Sequence, residues 1–321
     1  MNFKPILIVA GEPNSIFLEI FFKIYTNSKI KSPLILIVSN KILNKQMKKF
    51  NFKKKIKNLD LKKIHSYKLD NKSINIINIE YDQKKTFKKI SKKSKSYIEK
   101  CFKVAIKLIN SGYSKKFING PISKKSFLNK KYPGVTEYLA DKFNKNKFAM
   151  LIYNKNLSVS PITTHLPLKN VAKKINKKSI MEKITLINNF YKLYFKIKPR
   201  IAVTGLNPHC ESFENLNEDT MILKPAIKHL NKSGYKIFGP FPADTIFTKK
   251  NRSNYNVILG MYHDQVLAPM KTIYEFDAIN ITLGLPFLRV SPDHGPNEKM
   301  VGKNISNPLS LIQALKFLDK N

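Results

Sequence analysis

Short apolar runs alternate with longer amphipathic segments along the chain. Several of the short runs are continuously hydrophobic, which is typical of strands that are buried on both faces of a mostly parallel sheet. These predicted strands span residues 5–9, 33–39, 74–79, 116–119, 149–153, 200–204, 236–238, 256–259 and 278–282. The run 157–161 has the same character.

Five segments between these runs repeat apolar residues at the spacing of a helix. They span residues 17–26, 92–111, 178–196, 219–232 and 307–318. In 92–111 the apolar positions follow i, i+3 and i+4, and Gly112 ends the pattern. The alternation of strands and helices predicts an α/β fold with helices on both faces of the sheet. The lysine-rich stretch 41–100 keeps regular apolar positions, so we interpret it as solvated helix faces.

The 321 residues carry 59 Lys and Arg against 21 Asp and Glu, a formal net charge of +38. Such a charge raises the hypothesis of a nucleic-acid or anionic-membrane partner. Only Arg200, Arg252 and Arg289 are arginines, although arginine dominates the reading of guanine edges. Residues 251–300 are nearly neutral. A background bias toward lysine therefore explains the charge better than a nucleic-acid function does.

Cys101 and Cys210 are too few and too far apart for a disulfide framework. We see no signal peptide, and no apolar run approaches the ~18–20 residues that span a bilayer. These features predict a cytoplasmic protein.

Three histidines follow predicted strands, the position at which α/β sheets bind ligands. His263 and Asp264 come after 256–259, His165 comes after 157–161, and His209 comes after 200–204. Three neutral imidazoles suit an open metal site, although a single histidine is more often a hydrogen-bonded structural residue.

A second set of polar residues suits an anion. Lys271, Asn280 and Arg289 recur at nine-residue intervals across a predicted loop, strand and loop. A lysine charge, an amide and an arginine fork can hold a phosphate, although Lys271 is one of many lysines. No P-loop or GxGxxG sequence is found, and the loop after the first strand, from Gly11 to Ser15, is interpreted as an ordinary turn.

Eight short motifs stand in the order in which one enzyme family carries them. They are NGPISK at 119–124, GVTEYLA at 134–140, THLPL at 164–168, GLNPH at 205–209, GPFPADT at 239–245, YHDQ at 262–265, NITLGLPFLR at 280–289 and DHG at 293–295. Over residues 5–318 the chain resembles the 4-hydroxythreonine-4-phosphate dehydrogenases of pyridoxal phosphate (vitamin B6) biosynthesis.

This resemblance implies two α/β/α domains of the isocitrate and isopropylmalate dehydrogenase type, with the active site in the interdomain cleft of a homodimer. We expect residues 1–130 plus 285–321 in the first domain and 131–284 in the second. The family's metal ligands match His165, His209 and His263, with both subunits contributing to one site. Its substrate contacts match Thr136, Lys271, Asn280 and Arg289.

The resemblance also implies a reaction. 4-Phosphohydroxy-L-threonine is oxidised by NAD or NADP and decarboxylated to 3-amino-2-oxopropyl phosphate, with one divalent ion (Zn, Mg, Co or Mn). Asp244, Asp264 and Lys271 are the candidate catalytic residues, and the cofactor-binding residues stay open.

Three departures from the family pattern concern the substrate. Val135 replaces a histidine, the first loop reads Gly11-Glu12-Pro13-Asn14-Ser15-Ile16, and Cys210-Glu211-Ser212-Phe213 replaces a glycine-rich acidic turn. They leave open a related dehydrogenase that acts on another phosphorylated hydroxy acid or a diol. A nucleic-acid-binding protein and an inactive relative are the remaining alternatives.

Overall fold

The computed structural model describes residues 3–27, 30–128, 131–211 and 217–321. The chain divides into two compact units, of which the first comprises Met1–Tyr138 and Pro286–Asn321 and the second Leu139–Leu285. The first boundary therefore lies after residue 138 rather than after 130. The reason is that Tyr138 packs against Phe102 and Phe127 at ring-centroid distances of 5.5 and 5.4 Å. Thr136 consequently belongs to the first unit and not to the second, for which it was predicted.

The strands follow the short apolar runs. They are β1 (Ile6–Val9), β2 (Leu34–Val38), β3 (Ile56–Asn58), β4 (Ile74–Asn78), β5 (Lys116–Asn119), β6 (Ala149–Tyr153), β7 (Ser158–Thr163), β8 (Arg200–Thr204), β9 (Lys236–Phe241), β10 (Val257–Tyr262), β11 (Ile279–Leu283) and β12 (Leu288–Pro292).

The helices lie between them. They are α1 (Phe17–Asn27), α2 (Asn40–Lys49), α3 (Lys95–Asn110), α4 (Val135–Lys142), α5 (Lys177–Phe195), α6 (Lys224–Lys232), α7 (Ala243–Ile246), α8 (Lys249–Arg252), α9 (His263–Tyr274) and α10 (Leu309–Lys320). Among the described residues, no helix has both the length and the apolar character that a membrane crossing requires.

The first unit has a wholly parallel sheet with the strand order β3-β4-β2-β1-β5-β12. β1 and β2 are buried along their whole length because their Ile, Leu and Val side chains are covered on both faces. α3 packs on β1 and β2 with the apolar face that its sequence spacing predicts, and α10 packs on β12.

The second unit has the strand order β11-β6-β7-β10-β8-β9, in which β6 runs antiparallel to both neighbours. β7, β10 and β8 are parallel neighbours, with Val257 of β10 opposite Ser158 on one side and Ile201 on the other. The carboxyl ends of these three strands therefore meet at one edge of the sheet. α9 packs on β7 and β10 behind that edge.

The loop after β1 contains a buried carboxyl group. Glu12 is 2% exposed, and it accepts hydrogen bonds from Ser94 Oγ at 2.9 Å and from the backbone N–H of Asn14 at 3.3 Å. Burial raises the pKa of Glu12 above its usual value, and these hydrogen bonds offset only part of that effect. The loop is thus a βα turn, as expected, that also holds a charge away from water.

Several sequence predictions are wrong in detail. The stretch 41–100 is not only helix faces, because besides α2, the start of α3 and the predicted strand β4 it contains β3, which was not predicted. Lys271 and Arg289 lie in α9 and β12, not in loops. Both elements contain polar residues and a proline, Pro269 in α9 and Pro292 in β12. These residues interrupt the apolar pattern from which helices and strands are predicted.

Candidate active site

The three predicted metal ligands follow three neighbouring parallel strands of the second unit. His165 lies just beyond the last residue of β7, Thr163, and His263 comes directly after β10 as the first residue of α9. His209 lies in the turn Pro208–Cys210 that follows β8. The parallel arrangement explains why residues so far apart in sequence reach the same edge of one sheet.

His165 and His263 face each other. Their ring centroids are 6.0 Å apart and the ring planes are inclined by 36°. Both line a cavity of about 260 Å³ whose other walls include Tyr262, Leu166 and Val171. The cavity combines an apolar surface with two imidazoles, the composition of a small-molecule site.

Asp264 orients one of these imidazoles. Its Oδ1 lies 2.7 Å from Nδ1 of His263, while the rest of the carboxylate is exposed to solvent. A carboxylate on Nδ1 favours the tautomer that carries its proton there and leaves Nε2 as the electron-pair donor. The pair has the arrangement of a histidine that binds a metal through Nε2.

His209 is held by the turn in which it lies. Its φ of +56° is unusual for a residue other than glycine, so the turn needs bracing. The fully buried carboxylate of Asp219 accepts hydrogen bonds from the backbone N–H groups of Leu206 and Asn207, at 2.8 and 3.0 Å. A Cβ at Gly205 would lie 2.9 Å from Asp219 Oδ1, so only glycine leaves room for this carboxylate.

Cys210 lies beside His209 in this turn. Burial, followed by the charge of Asp219, raises the pKa of its thiol above the usual value. A protonated thiol is a poor nucleophile.

The structure brings His165 and His263 together and places His209 on the adjoining strand end. Among the described residues, no three His, Cys, Asp or Glu side chains converge closely enough to hold a metal ion. His165, His263 and the carboxylate of Asp264 suit one part of a site with three imidazole ligands. The complete set of three histidine ligands stays a prediction.

A second polar group lies in the first unit around Arg289, which is 3% exposed on β12. Its Nε donates to Asn119 Oδ1 at 2.9 Å and its Nη1 donates to Thr136 Oγ1 at 3.4 Å. Burial lowers the pKa of the guanidinium to about 10, and the nearby charge of Glu137 acts in the opposite direction. The structure thus unites two of the four predicted substrate residues, Thr136 and Arg289.

The other two predicted substrate residues lie in the second unit. Lys271 is half-buried on α9, and Asn280 lies in β11. The Oδ1 atom of Asn280 is buried without a hydrogen-bond partner among the described residues. Because a buried acceptor without a partner is costly, this oxygen is suited to receive a donor from a bound molecule.

Asp244 and Asp264 were both predicted as candidate catalytic residues, either to handle protons or to support the metal ligands. Asp264 contacts His263, whereas Asp244 is exposed in the first turn of α7, after β9. Among the positions that depart from the family pattern, Val135 begins α4 and is half-buried. Ser212 and Phe213 lie outside the described residues.

Sequence reasoning gave no role to Asn119, Glu137, Asp219 or Gln265. Three of them stand inside the quoted motifs, and Asp219 begins a predicted helix. For Asn119 and Gln265 the usable signal was an amide side chain at or just after the end of a strand.

The chain is similar to known proteins over most of its length. The sequence model of the family described as pyridoxal phosphate biosynthetic protein PdxA matches residues 29–318. The chain is 36% identical over 319 residues to the 4-hydroxythreonine-4-phosphate dehydrogenase of Sulfurihydrogenibium sp. (strain YO3AOP1), covering 97% of this chain and 96% of that protein.

Solved structures confirm the predicted fold class. The 4-hydroxythreonine-4-phosphate dehydrogenase of Klebsiella pneumoniae superimposes with a TM-score of 0.85 at 26% identity, covering 99% of this chain and 98% of that one. A β-decarboxylating dehydrogenase from Thermococcus kodakarensis shares the fold at 11% identity, with a TM-score of 0.50 over 97% of this chain and 81% of that chain. The chain belongs to the PdxA family, whose curated members are named 4-hydroxythreonine-4-phosphate dehydrogenases, oxidoreductases that act on a CH–OH group.

Proposed function

We propose that this protein oxidises and decarboxylates 4-phosphohydroxy-L-threonine to 3-amino-2-oxopropyl phosphate, using NAD or NADP and one divalent metal ion. The observation that carries the proposal is the facing pair His165 and His263 at neighbouring strand ends. Membership of the PdxA family supplies the substrate class.

The metal proposal rests on the chemistry of the donors. His165, His209 and His263 would hold the ion, and Asp264 would fix the tautomer of His263 through Nδ1. A bound ion of this kind supplies Lewis acidity toward an alcohol and toward the ketone formed from it. Imidazole ligands accept Zn, Co and Mn and, less readily, Mg.

The side chains of the chain itself bind and orient the substrate. The buried guanidinium of Arg289, with Thr136 beside it, suits a phosphate or carboxylate group, since a planar fork binds two oxygens at once. Lys271 adds a cation, and Asn280 offers a buried amide oxygen to a donor. Each of these groups would fix the part of the substrate that it binds.

The proton steps fall to carboxylates and an amine. Asp244, Asp264 and Lys271 are the candidates to accept the proton of the alcohol and to protonate the carbon that carbon dioxide leaves. A bound nicotinamide cofactor would supply the hydride acceptor. Loss of carbon dioxide follows because the oxidised product is a β-keto acid.

We further propose a homodimer in which both subunits contribute to each metal site. A cytoplasmic location fits the two cysteines, since Cys101 and Cys210 are both buried and unbridged.

The proposal is tested by assaying metal-stripped protein with 4-phosphohydroxy-L-threonine and either NAD or NADP, with Zn, Mg, Co or Mn restored separately. We expect turnover with at least one ion and none with the stripped protein. The variant His263→Ala should lower kcat/KM at least about 100-fold. His229→Ala, on the exposed face of α6, is the matched control and should leave the rate unchanged. Absence of turnover with every ion and cofactor would contradict the proposal.

A second substrate class is favoured by Val135. Its side chain cannot form the hydrogen bond that the family's histidine offers at this position. The alternative is a related dehydrogenase that acts on another phosphorylated hydroxy acid or a diol. Turnover of such a compound in place of 4-phosphohydroxy-L-threonine, with the preference reversed in Val135→His, would establish it.

A further inference from the structure

Gln265 forms three hydrogen bonds through one amide group. Its Oε1 accepts from the backbone N–H of Met261 at 2.7 Å and from Thr204 Oγ1 at 2.8 Å. Its Nε2 donates to the backbone carbonyl oxygen of Gly205 at 2.8 Å. The side chain thus uses its acceptor and donor ends together.

These three partners belong to the two strand ends that carry His209 and His263. Met261 lies in β10, two residues before His263, while Thr204 ends β8 and Gly205 begins the segment that leads to His209. The backbone register between β10 and β8 runs from Val257 opposite Ile201 to Leu259 opposite Val203. The bonds of Gln265 lie beyond that last pair, so the side chain continues the connection past the end of the backbone ladder.

The surroundings show that this connection is built tightly. A Cβ at Gly260 would lie 2.3 Å from Val266 Cγ1 and 3.0 Å from Gln265 Oε1, so glycine is needed for the first turn of α9 to close over the strand. On the other side, Thr163 Oγ1 donates to the carbonyl oxygen of Met261 at 2.8 Å. The peptide groups of Met261 therefore connect to the end of β7, and so to the segment of His165.

We propose that Gln265 is a positioning residue that fixes the strand end of His209 relative to that of His263. This inference rests on the proposed metal-dependent function, because Gln265 holds the segments of two of its three histidines, whichever subunit's site each histidine enters. Gln265 acts through the backbone, and the role requires an amide. A carboxylate would place an oxygen against the Gly205 carbonyl. An apolar side chain would remove the partner that the amide gives to both backbone groups and would leave the Thr204 hydroxyl with the longer bond of 3.5 Å to the carbonyl oxygen of Leu259.

The experiment measures Zn²⁺ binding to metal-stripped, full-length protein by calorimetric titration, without substrate or cofactor. Wild type should bind Zn²⁺, and Gln265→Leu should bind it about 10-fold more weakly, in line with outer residues that orient metal ligands. Thr204→Val removes one of the three bonds and should give about a 2- to 3-fold loss. Thr204→Ser keeps the hydroxyl and should match wild type.

The matched control is Asn231→Leu. Asn231 also bridges two backbone groups with one amide, donating to the carbonyl of Ile237 at 2.8 Å and accepting from its N–H at 2.9 Å, but it does so at the start of β9. Its loss should leave Zn²⁺ affinity within about 2-fold of wild type, since it orients no metal ligand. Circular dichroism and thermal midpoints establish that each variant is folded.

The outcomes are distinct. If wild type binds no Zn²⁺, the titration is repeated with Co²⁺, Mn²⁺ and Mg²⁺, and absence of binding with all four ions overturns the proposed metal site and this inference with it. If wild type binds Zn²⁺ and Gln265→Leu matches it, only the positioning role is overturned. Should Gln265→Leu not fold, the pair Thr204→Val and Thr204→Ser decides, and equal affinities in the two would overturn the proposal.

Discussion

Arg289 is a cation removed from water and held by the neutral oxygens of Asn119 and Thr136. Such a group is costly unless an anion approaches it, and Glu137 supplies a negative charge nearby. A phosphorylated substrate would supply another. The importance of this side chain lies in its planar geometry as much as in its charge.

The variant Arg289→Lys tests that statement. We expect the KM for the phosphorylated substrate to rise about 10- to 100-fold. The single ammonium group of a lysine cannot bind Asn119 and an anion at the same time in the geometry of the guanidinium fork. Steady-state kinetics measures the change. The control is Arg252→Lys. Arg252 ends the surface helix α8, and its Nη1 donates to the carbonyl oxygen of Phe247. We expect this variant to keep the wild-type KM. Equal KM values for the two variants would contradict the role.

Glu12 makes folding stability depend on pH. Because its folded pKa lies above the usual 4.5, the folded chain holds this proton more tightly than the unfolded chain does. Its contribution to stability is fully present below the unfolded pKa and is lost as pH rises through the folded pKa. The buried charge therefore weakens the fold at neutral pH.

We expect Glu12→Gln to raise the free energy of unfolding relative to wild type at pH 8, by on the order of 1 kcal/mol, and to raise it less at pH 5. Urea unfolding at both pH values measures the difference. Glu99→Gln is the matched control and should not raise the free energy of unfolding at pH 8, because it removes a half-exposed carboxylate that is paired with Lys95 at 3.7 Å. A Glu12→Gln variant less stable than wild type at pH 8 would refute the argument.

At the scale of elements, the turn 205–210 depends on a residue outside it. Asp219 binds two backbone N–H groups of this turn, and its Oδ2 also accepts from Asn207 Nδ2 at 2.9 Å. The carboxylate supplies acceptors only, which is what three donors require.

Replacing Asp219 by Asn should lower the free energy of unfolding by about 2 kcal/mol, because an NH₂ group would then face an N–H donor in a buried place. Chemical denaturation measures the loss. Asp60→Asn is the control, since Asp60 accepts a single exposed bond from Lys62 N–H and asparagine caps a turn equally well. A loss as small as that of the control would show that the turn does not rely on Asp219.

The elements that the sequence predicts well are those whose pattern is local. α3 buries the side chains that its spacing indicates, and β8 has the predicted bounds. β12 escaped prediction because its burial depends on pairing with β5, with Leu288 opposite Lys116, a partner far away in sequence.

The residues of the candidate site differ in the same way, between those with a local sequence signal and those that depend on distant contacts. Histidines at strand ends can be identified from the sequence, because strand ends bind ligands in this kind of fold. Gln265 and Asp219 bind backbone atoms of segments distant in sequence, and nothing in their local pattern indicates which atoms those are.

At the scale of the whole molecule, the net charge of +38 acts against the compact state. Like charges repel over about 30 Å at 0.01 M salt and over about 10 Å at 0.1 M. The net charge thus lowers the stability of the folded chain in low salt, although most of the charged side chains lie outside the candidate active site.

We expect the thermal midpoint to rise by a few degrees between about 0.01 M and 0.1 M NaCl, as screening reduces this repulsion. Differential scanning calorimetry measures the shift, and sucrose at matched osmolality serves as the uncharged control. A midpoint independent of NaCl would contradict the expectation. Tight binding of duplex DNA with a steep salt dependence would instead revive the nucleic-acid hypothesis.

The first unit is made from two segments of chain that are separated by the whole of the second. During synthesis, residues 139–285 leave the ribosome as one continuous piece before β12 and α10 exist. Domains generally fold as units while the chain emerges, and here the amino-terminal unit must wait for its last strand. Arg289 arrives with that strand, so the proposed anion site of the first unit is among the last parts of the molecule to be assembled.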